Sequence, residues 1–262
     1  MLIKRKSIEK EESQRPPKKV ATPRKPKYAS VTLSEHDGMR YLHFGTEWVQ
    51  GAMRLRKPDW LELEYVQQMM AWMLFIEKPQ HIAQLGLGSG SLTKFCYRYF
   101  PTSQITSIEL NPSVISICET MFKLPPNDDR LRVVEMDAFD FVNDEANRDT
   151  LDVLQVDLYD ATANGPVLDS AEFYASCAAC LNDQGIMVVN LFGDHPSFHK
   201  NVKAMDFAFA HVVCLPEVPD GNVVALAFKQ KPKFDFVALY ERATHITSAT
   251  KLPAKSWVNG LK

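Results

Sequence analysis

The sequence predicts an α/β fold with a mainly parallel sheet, because apolar runs of strand length alternate with stretches of helical spacing. The first run, Ile82 to Leu85, is too short for a helix and ends in the glycine loop Gly86 to Gly90. Residues 91–100 then have helical spacing, and a second apolar run, 105–110, closes on Glu109. Strand, glycine turn, helix, strand and carboxylate in this order predict the first half of a nucleotide-binding βαβ unit.

The glycine loop and the acid after it predict the class of ligand. Gly86, Gly88 and Gly90, with Ser89 among them, allow backbone N–H groups to approach a ligand at the helix N-terminus. Glu109 lies nineteen positions after Gly90, near the offset of about 20 residues at which a carboxylate binds ribose hydroxyls. Dinucleotide sites usually have G-x-G-x-x-G, whereas this loop reads G-x-G-x-G. The pattern therefore favours S-adenosylmethionine or a related nucleoside over NAD.

Two further strands are predicted at 131–135 and 151–156, each followed by an acidic residue. Asp137, beside the small Ala138, is expected to lie along an adenine edge and to accept a hydrogen bond from the exocyclic amine. Taken alone, each acid also fits a helix cap. Because ligands in such sheets bind outside the carboxyl ends of the strands, we expect one pocket lined from four successive strand ends. These are the positions of Gly86, Glu109, Asp137 and Asp157.

The pair Asp157 and Asp160, where the fourth strand becomes a loop, predicts proton-transfer chemistry. Two carboxylates three residues apart can face one cavity, where their repulsion raises the pKa of one and makes it a better proton acceptor. Asp157 could then deprotonate an attacking amine, whose pKa is about 10, while Asp160 positions that amine beside a sulfonium ion. The alternative from the residues alone is that Asp160 caps the following turn.

The rest of the chain divides into an extension, a main domain and two tails. Alternating apolar residues around Asp37-Gly38 and a short strand at 47–53 predict a small β-hairpin extension at 29–60. The Rossmann-like domain is predicted at 61–247 and begins with a helix at 61–76, and a loose tail is expected at 248–262. Further helices are predicted at 111–121, 172–181, 202–209 and 236–245, and further strands at 186–191, 211–215 and 223–228.

Composition limits the remaining possibilities. A hydrophobic content of 45% over 262 residues allows one α/β domain with a sizeable core. No apolar stretch approaches the roughly 20 residues of a membrane helix, so we expect a cytoplasmic protein without membrane contact. The five cysteines are scattered, and Cys177 and Cys180 are expected to pack in a helix rather than bind metal. Neither a metal nor a permanently bound cofactor is expected.

The charge is distributed unevenly along the chain. Residues 1–27 contain ten Lys or Arg and three Glu, a charge of +7 that leaves −9 for the remainder. The tail, taken as residues 1–28, is predicted to be disordered, and a nucleic-acid role is expected at most through this tail. The acidic remainder favours cationic ligands.

Five segments, in this order, resemble the spermidine synthases, the polyamine aminopropyltransferases, over about residues 30–230. They are QLGLGSGSL, SIELNPSVI, EMDAFDFV, VDLYDATANGP and EFYASCAACLNDQGIMVVNLF. The resemblance implies a Rossmann-like S-adenosylmethionine-dependent methyltransferase fold with a small N-terminal β domain. It also implies that decarboxylated S-adenosylmethionine gives its aminopropyl group to putrescine or a similar amine, and that the protein is a homodimer or larger.

The resemblance further implies roles for individual residues at both halves of the site. Glu109 would bind ribose, Asp137 and Ala138 adenine, and Gln50 the nucleoside, while Asp157 would deprotonate the amine, Asp160 would grip it and Tyr65 would lie near it.

The sequence departs from the family at the amine half of the site. Ser89 stands where the family has an aspartate that binds the amino end of the donor. Val66 and Gln67 follow Tyr65 where the family has His and Glu, and Leu61 replaces an upstream acid. Two alternatives therefore stay open: an S-adenosylmethionine-dependent methyltransferase, which Ser89 favours, and a non-catalytic nucleoside-binding protein.

Overall fold

The structure is a computed structural model that describes residues 28–159 and 167–262. The basic tail predicted at 1–28 therefore lies outside the described residues except for Tyr28, and the candidate residue Asp160 lies outside them too. The described part of the chain contains a three-stranded sheet, followed by a seven-stranded sheet with helices packed against it.

The first sheet is an antiparallel arrangement of β1 (Thr32–His36), β2 (Met39–His43) and β3 (Gly51–Arg54). Its first turn is Asp37-Gly38, with φ values of 49° and 75°. Positive φ at both central residues is typical of the type I′ turn, whose twist matches that of a hairpin. Leu42 and Met53 are buried in the same apolar cluster as residues of the main domain, so the extension shares the core of the larger unit.

The second sheet combines parallel and antiparallel strands. Its members are β4 (His81–Leu85), β5 (Gln104–Glu109), β6 (Leu131–Glu135), β7 (Leu151–Val156), β8 (Leu181–Phe192), β9 (His211–Cys214) and β10 (Asn222–Phe228). Their order is β6-β5-β4-β7-β8-β10-β9. The first five are parallel, and β10 is antiparallel to both β8 and β9. All residues of β10 are buried, as expected for a strand covered on both faces.

The strand order reverses beside β4. From β4 the chain crosses over to β5 and then β6 on one side, whereas β7 and β8 lie on the other side. The crevice outside the carboxyl ends of β4 and β7 is therefore the topological switch point, where ligands bind in sheets of this kind. The glycine loop leaves β4 at this point, which places it at the usual ligand site.

Helices cover both faces of the sheet and begin at caps that the sequence supplies. Asn111 accepts a hydrogen bond from the N–H of Ser113 at 3.0 Å, and Ser170 accepts one from the N–H of Phe173 at 3.0 Å. The helices are α1 (Glu64–Gln68), α2 (Ser91–Tyr99), α3 (Pro112–Met121), α4 (Ala138–Asn143), α5 (Ala171–Cys180), α6 (Phe198–Ala208), α7 (Phe236–Thr250) and α8 (Ala254–Gly260).

The single helix predicted at 61–76 is wrong. The segment contains only the short α1 and a separate 3₁₀ helix, Ala71–Leu74. Met69, Met70 and Trp72 are fully buried, so apolar side chains face the core in several directions. Packing of the whole segment, rather than one amphipathic face, therefore decides its local backbone.

The loose tail predicted at 248–262 is also wrong. α7 continues to Thr250, and α8 covers Ala254–Gly260. Trp257 exposes 2% of its surface and Val258 is fully buried. Truncating a buried aromatic side chain to alanine costs about 3–5 kcal/mol, so these contacts are sufficient to attach the end of the chain to the core.

The cysteines and the helices limit other roles. All five cysteines are free, and Cys177 and Cys180 are fully buried, in keeping with the predicted packing role. Within residues 28–159 and 167–262, no helix combines the length and apolar character needed to cross a membrane. The same ranges contain no group of three or more His, Cys, Asp or Glu side chains arranged to hold a metal ion.

Candidate active site

A cavity of about 790 Å³ opens at the carboxyl ends of β4, β5, β6 and β7. These four strands are neighbours in the sheet. Gly86 follows β4, Glu109 ends β5, Asp137 follows β6 and Asp157 follows β7, and all four residues line the cavity. The structure thus brings together the four strand-end residues that the sequence suggested.

Gly86 allows the carboxyl ends of β4 and β7 to lie close together. Its φ is +87°, and a Cβ at this position would lie 2.2 Å from the carbonyl oxygen of Asp157. The N–H of Gly86 donates to the carbonyl of Ile108 at 2.9 Å, and the N–H of Asp157 donates to the carbonyl of Leu85 at 2.9 Å. Both the left-handed backbone and the contact therefore require a residue without a side chain.

Glu109 joins the end of β5 to the glycine loop. Its Oε2 accepts a hydrogen bond from the N–H of Leu87 at 3.0 Å, and its Oε1 accepts one from the N–H of Asn111 at 2.8 Å. Burial raises the pKa of Glu109, whereas hydrogen bonds from the N–H groups of Asn111, Leu87 and Leu110 act in the opposite direction. Each carboxylate oxygen keeps acceptor capacity, which suits two ribose hydroxyls.

Asp137 caps a helix and also lines the cavity. Its Oδ1 accepts a hydrogen bond from the N–H of Phe139 at 2.8 Å at the start of α4. The next residue, Ala138, is buried and also lines the cavity. The capping alternative is therefore correct for one oxygen of Asp137, and it does not remove the residue from the site.

Asp157 is half-buried, and side chains contact both of its oxygens. Asn190 donates from Nδ2 to Oδ1 at 2.9 Å, and the Tyr65 hydroxyl donates to Oδ2 at 3.4 Å. Burial raises the pKa of Asp157, whereas these two hydrogen bonds oppose the rise. Burial and the charge of Asp157 raise the pKa of Tyr65 well above its ordinary value, so the phenol stays a neutral donor. The two hydrogen bonds fix the orientation of the Asp157 carboxylate at the cavity wall, as a proton acceptor would require.

The support for Asp157 extends to two residues that the sequence analysis did not select. Asn222, on β10, donates from Nδ2 to Oδ1 of Asn190, on β8, at 3.0 Å. Asn190 exposes 2% of its surface and Asn222 exposes 8%. The available signal is the polar Asn190 in the apolar run MVVNLF, because a buried amide is costly unless it has a partner. That signal does not identify the partner.

Two of the candidate residues in the glycine loop, Ser89 and Gly90, do not line the cavity. Ser89 is buried, and its hydroxyl donates to the carbonyl of Ala52 in β3 at 3.5 Å and shares a hydrogen bond with the Ser91 hydroxyl at 2.9 Å. Gly90 caps the start of α2 with a φ of 68°. The side chain of Ser89 is therefore directed toward the β extension, and contact between these two residues and a ligand stays a prediction.

The β extension supplies one wall of the site. Gln50, just before β3, lines the cavity together with Gly88. A Cβ on Gly88, whose φ is +52°, would lie 3.2 Å from the carbonyl oxygen of Gln50. Tyr41 and Phe44 line the same cavity from the region of β2. The extension thus closes a site that the larger sheet leaves open.

The cavity is lined by acidic residues and carries negative charge. Among the described residues that line it, none is Lys, Arg or His. Carboxylates in a partly enclosed space attract cations and disfavour anions. The five acidic lining residues are Glu47, Glu109, Asp137, Asp157 and Asp220.

The mouth of the cavity is apolar. Of the eight large apolar side chains that are exposed on the described residues, five line this cavity. A concentration of exposed apolar surface at one place is typical of a binding site. Such a rim suits the faces of a purine ring. The five residues are Trp48, Val49, Leu110, Met136 and Val167.

Comparison with known proteins gives consistent results across most of the chain. The spermine/spermidine synthase domain matches residues 62–238. The polyamine aminopropyltransferase of Neisseria meningitidis serogroup A is 32% identical over 243 residues, which cover 92% of this chain and 92% of that protein. The polyamine aminopropyltransferase of Chromobacterium violaceum is 32% identical over 234 residues, which cover 88% of this chain and 89% of that protein.

Solved structures share the fold. A probable spermidine synthase from Corynebacterium glutamicum has a TM-score of 0.70 at 18% identity, over 90% of this chain and 92% of that chain. Human methyltransferase-like protein 13, in complex with SAH, has a TM-score of 0.63 at 22% identity, over 72% of this chain and 93% of that chain. These likenesses confirm the predicted Rossmann-like methyltransferase fold.

Proposed function

Because this chain belongs to the spermine/spermidine synthase family, we propose that it transfers an aminopropyl group from decarboxylated S-adenosylmethionine to putrescine or a similar amine. The resemblance noted in the sequence is confirmed at the level of the family. The observation that carries the proposal is the acidic cavity, in which Asp157 faces the same space as the glycine turn. Both co-substrates are cations, so one cavity with five carboxylates and no described basic lining residue suits both.

The chemical step needs a proton acceptor and close positioning. The ammonium group of the amine loses a proton to the Asp157 carboxylate, and the free amine attacks the propyl carbon next to the sulfonium. The new N–C bond forms as the C–S bond breaks, and the sulfur keeps the electron pair as the neutral thioether of methylthioadenosine. Holding the two reactants side by side supplies much of the acceleration in a transfer of this kind.

The nucleoside half of the site follows from the strand ends. We propose that Glu109 accepts hydrogen bonds from the ribose hydroxyls and that Asp137 and Ala138 contact the adenine edge. Gln50 contacts the nucleoside from the β extension. The loop from Gly86 to Gly90, including Ser89, supports the donor through its backbone. The donor is a co-substrate rather than a permanently bound cofactor.

The amine half rests on fewer described residues. We propose that Asp157 and Tyr65 hold the reacting nitrogen and that Asp160, outside the described residues, contributes a second carboxylate. Asp220 lines the cavity, and its charge helps to raise the pKa of Tyr65 after the larger effects of burial and Asp157. We propose that Asp220 lies on the amine side of the cavity, where it can attract the far ammonium group of a diamine.

Replacing Asp220 with asparagine is expected to raise the KM for putrescine about two- to fivefold, the effect of losing one exposed ionic contact. The KM for the donor should not change. A monoamine of the same chain length has no second charge, so its KM should also stay the same. Initial rates with both amines measure the difference.

Asp183→Asn is the matched control for this substitution, because Asp183 is exposed and does not line the cavity. An equal rise in KM for the diamine and the monoamine would contradict a role of Asp220 in recognising the second charge of the diamine.

Replacing Asn190 with alanine is expected to move the acidic limb of the pH–rate profile upward by about one pH unit, because a hydrogen bond to a charged group contributes about 1.5–3 kcal/mol. This hydrogen bond lowers the pKa of Asp157, so its loss raises that pKa further. The carboxylate is then protonated at a higher pH, and activity is lost earlier as the pH falls. A profile of kcat/KM against pH tests the shift, and an unchanged limb would contradict it.

One specific observation favours the alternative of methyl transfer from intact S-adenosylmethionine. Ser89 replaces the family aspartate that binds the donor's amino end, and its hydroxyl is directed to Ala52 and Ser91. The donor therefore loses one contact that distinguishes the decarboxylated form. A non-catalytic nucleoside-binding role is the remaining alternative.

One assay separates the three functions. The protein is incubated with decarboxylated or intact S-adenosylmethionine and a panel of amines, and the nucleoside products are identified. Methylthioadenosine together with an aminopropylated amine supports the proposal. S-adenosylhomocysteine would replace it with methyl transfer, and saturable nucleoside binding without either product would replace it with the binding role. Homodimer formation and a cytoplasmic location stay predictions.

A further inference from the structure

A second cavity, of about 630 Å³, has the opposite charge to the first. It is formed by Arg54 at the end of β3, by residues 56–60, by the end of α2 and by the end of α7. Among the described residues that line it, Asp59 is the only carboxylate. The cationic lining residues are Arg54, Arg56, Lys57, Arg98 and Lys251. This concentration of positive charge is notable because the chain from residue 28 onward has a net charge of −9.

Two of the five cations are neutralised by neighbours. Arg54 donates to Glu62 from Nε at 3.0 Å and from Nη2 at 2.5 Å. Arg98 forms an ion pair with Asp59 at 2.5 Å. Glu62 and Asp59 therefore neutralise only these two arginines, and the other cations on the cavity wall keep their positive charge.

The other three cations have no acidic partner in the described part of the chain. No ion pair to a described carboxylate is formed by Arg56, Lys57 or Lys251, and the Lys251 ammonium donates instead to the carbonyl of Ser248 at 3.2 Å. Like charges around one concave surface repel each other, and an anion in the cavity would relieve that repulsion.

Helix dipoles account for only part of this cluster. Arg98 and Lys251 lie at the C-terminal ends of α2 and α7, where cations are favourable without any ligand. Arg56 and Lys57 belong to no helix and lie in the exposed turn after β3, so the dipoles do not explain them. Binding of an anionic ligand would explain why Arg56 and Lys57 lie beside the same cavity.

We infer that this cavity binds a small molecule that carries several phosphate groups. Arginine matches phosphate geometry through its planar set of donors, and lysine contributes a mobile point charge. Trp60 and Tyr99 are half-buried and line the same cavity, so flat apolar surface lies beside the cations. A nucleoside polyphosphate combines both features, because its base can contact the rings while its phosphates contact Arg56 and Lys57.

The inference predicts saturable binding of tripolyphosphate to the full chain at constant ionic strength. Isothermal titration calorimetry measures it, with sodium chloride at matched ionic strength as the reference. ATP should bind at the same site, and more tightly if its base contacts Trp60. Replacing Trp60 with leucine should then reduce binding of ATP but not of tripolyphosphate.

Arg56→Glu combined with Lys57→Glu should weaken tripolyphosphate binding about tenfold or more, since each charge-assisted contact to phosphate is a strong one. Lys231→Glu combined with Lys233→Glu is the matched control, because both residues are exposed and line neither cavity. Thermal unfolding shows that both double variants are folded. No saturable binding to the unmodified protein, or equal binding to the Arg56/Lys57 variant, would overturn the inference.

Discussion

Replacing Asp157 with asparagine is expected to lower kcat about 10²- to 10⁴-fold, the range that a positioned general base contributes. Asparagine has nearly the same shape and can keep contact with Asn190 and Tyr65, which lie 2.9 and 3.4 Å from the carboxylate oxygens. It cannot take the proton of an ammonium group, so the chemical step is lost while the cavity stays intact. Steady-state rates with decarboxylated S-adenosylmethionine and putrescine measure the effect.

Binding of methylthioadenosine distinguishes this result from collapse of the site. The nucleoside is proposed to contact Glu109 and Asp137, so its affinity should stay close to that of the unmodified protein. The pH profile gives a further check. Burial raises the pKa of Asp157, so the unmodified protein should lose activity, as the pH falls, above the range of an exposed aspartate. A kcat within about tenfold of the unmodified value would contradict the role of Asp157 as the base.

Replacing Gly86 with alanine is expected to lower the free energy of unfolding by about 2–4 kcal/mol, because a strained backbone and a steric overlap are combined at one residue. The added Cβ would lie 2.2 Å from the Asp157 carbonyl oxygen, and no side-chain rotation relieves contact with a backbone atom. The strand ends must separate, which also moves the Asp157 carboxylate. Thermal unfolding should show a melting temperature lower by about 5–15 °C, and nucleoside binding should be lost.

Gly38→Ala is the matched control for the backbone alone. Its φ of +75° is close to that of Gly86, but no atom lies within 4 Å of the added Cβ. We therefore expect a loss of only about 1 kcal/mol from left-handed strain, with nucleoside binding unchanged. Equal losses at the two positions would show that the contact with Asp157 has no particular importance.

The strand ends were predictable because their signals are local. Apolar runs, the glycine spacing and the offset to Glu109 are all present within a short stretch of chain. A parallel α/β sheet places the ends of successive strands together by its topology, so neighbouring strand ends imply neighbouring side chains. Comparison with known proteins confirms the fold and the family predicted from these signals.

The partners of those residues were not predictable in the same way. Asn190 and Asn222 lie on strands that are far from Asp157 in the sequence, and their register decides that they form a hydrogen-bonded chain. Ser89 is turned toward Ala52 by the packing of the glycine loop on the extension. Alternation and spacing show which residues are polar, but they carry no information about which distant groups satisfy them.

The amino-acid sequence by itself determined the type of fold, the family and the strand ends that line the cavity, because local periodicity and short motifs are sufficient for these. Only the tertiary structure decided the acidic charge of the whole cavity, the hydrogen bonds that hold Asp157, the packing of the C-terminal helix and the separate basic cavity. Each of these depends on residues from distant segments, and their meeting depends on the packing of the complete chain.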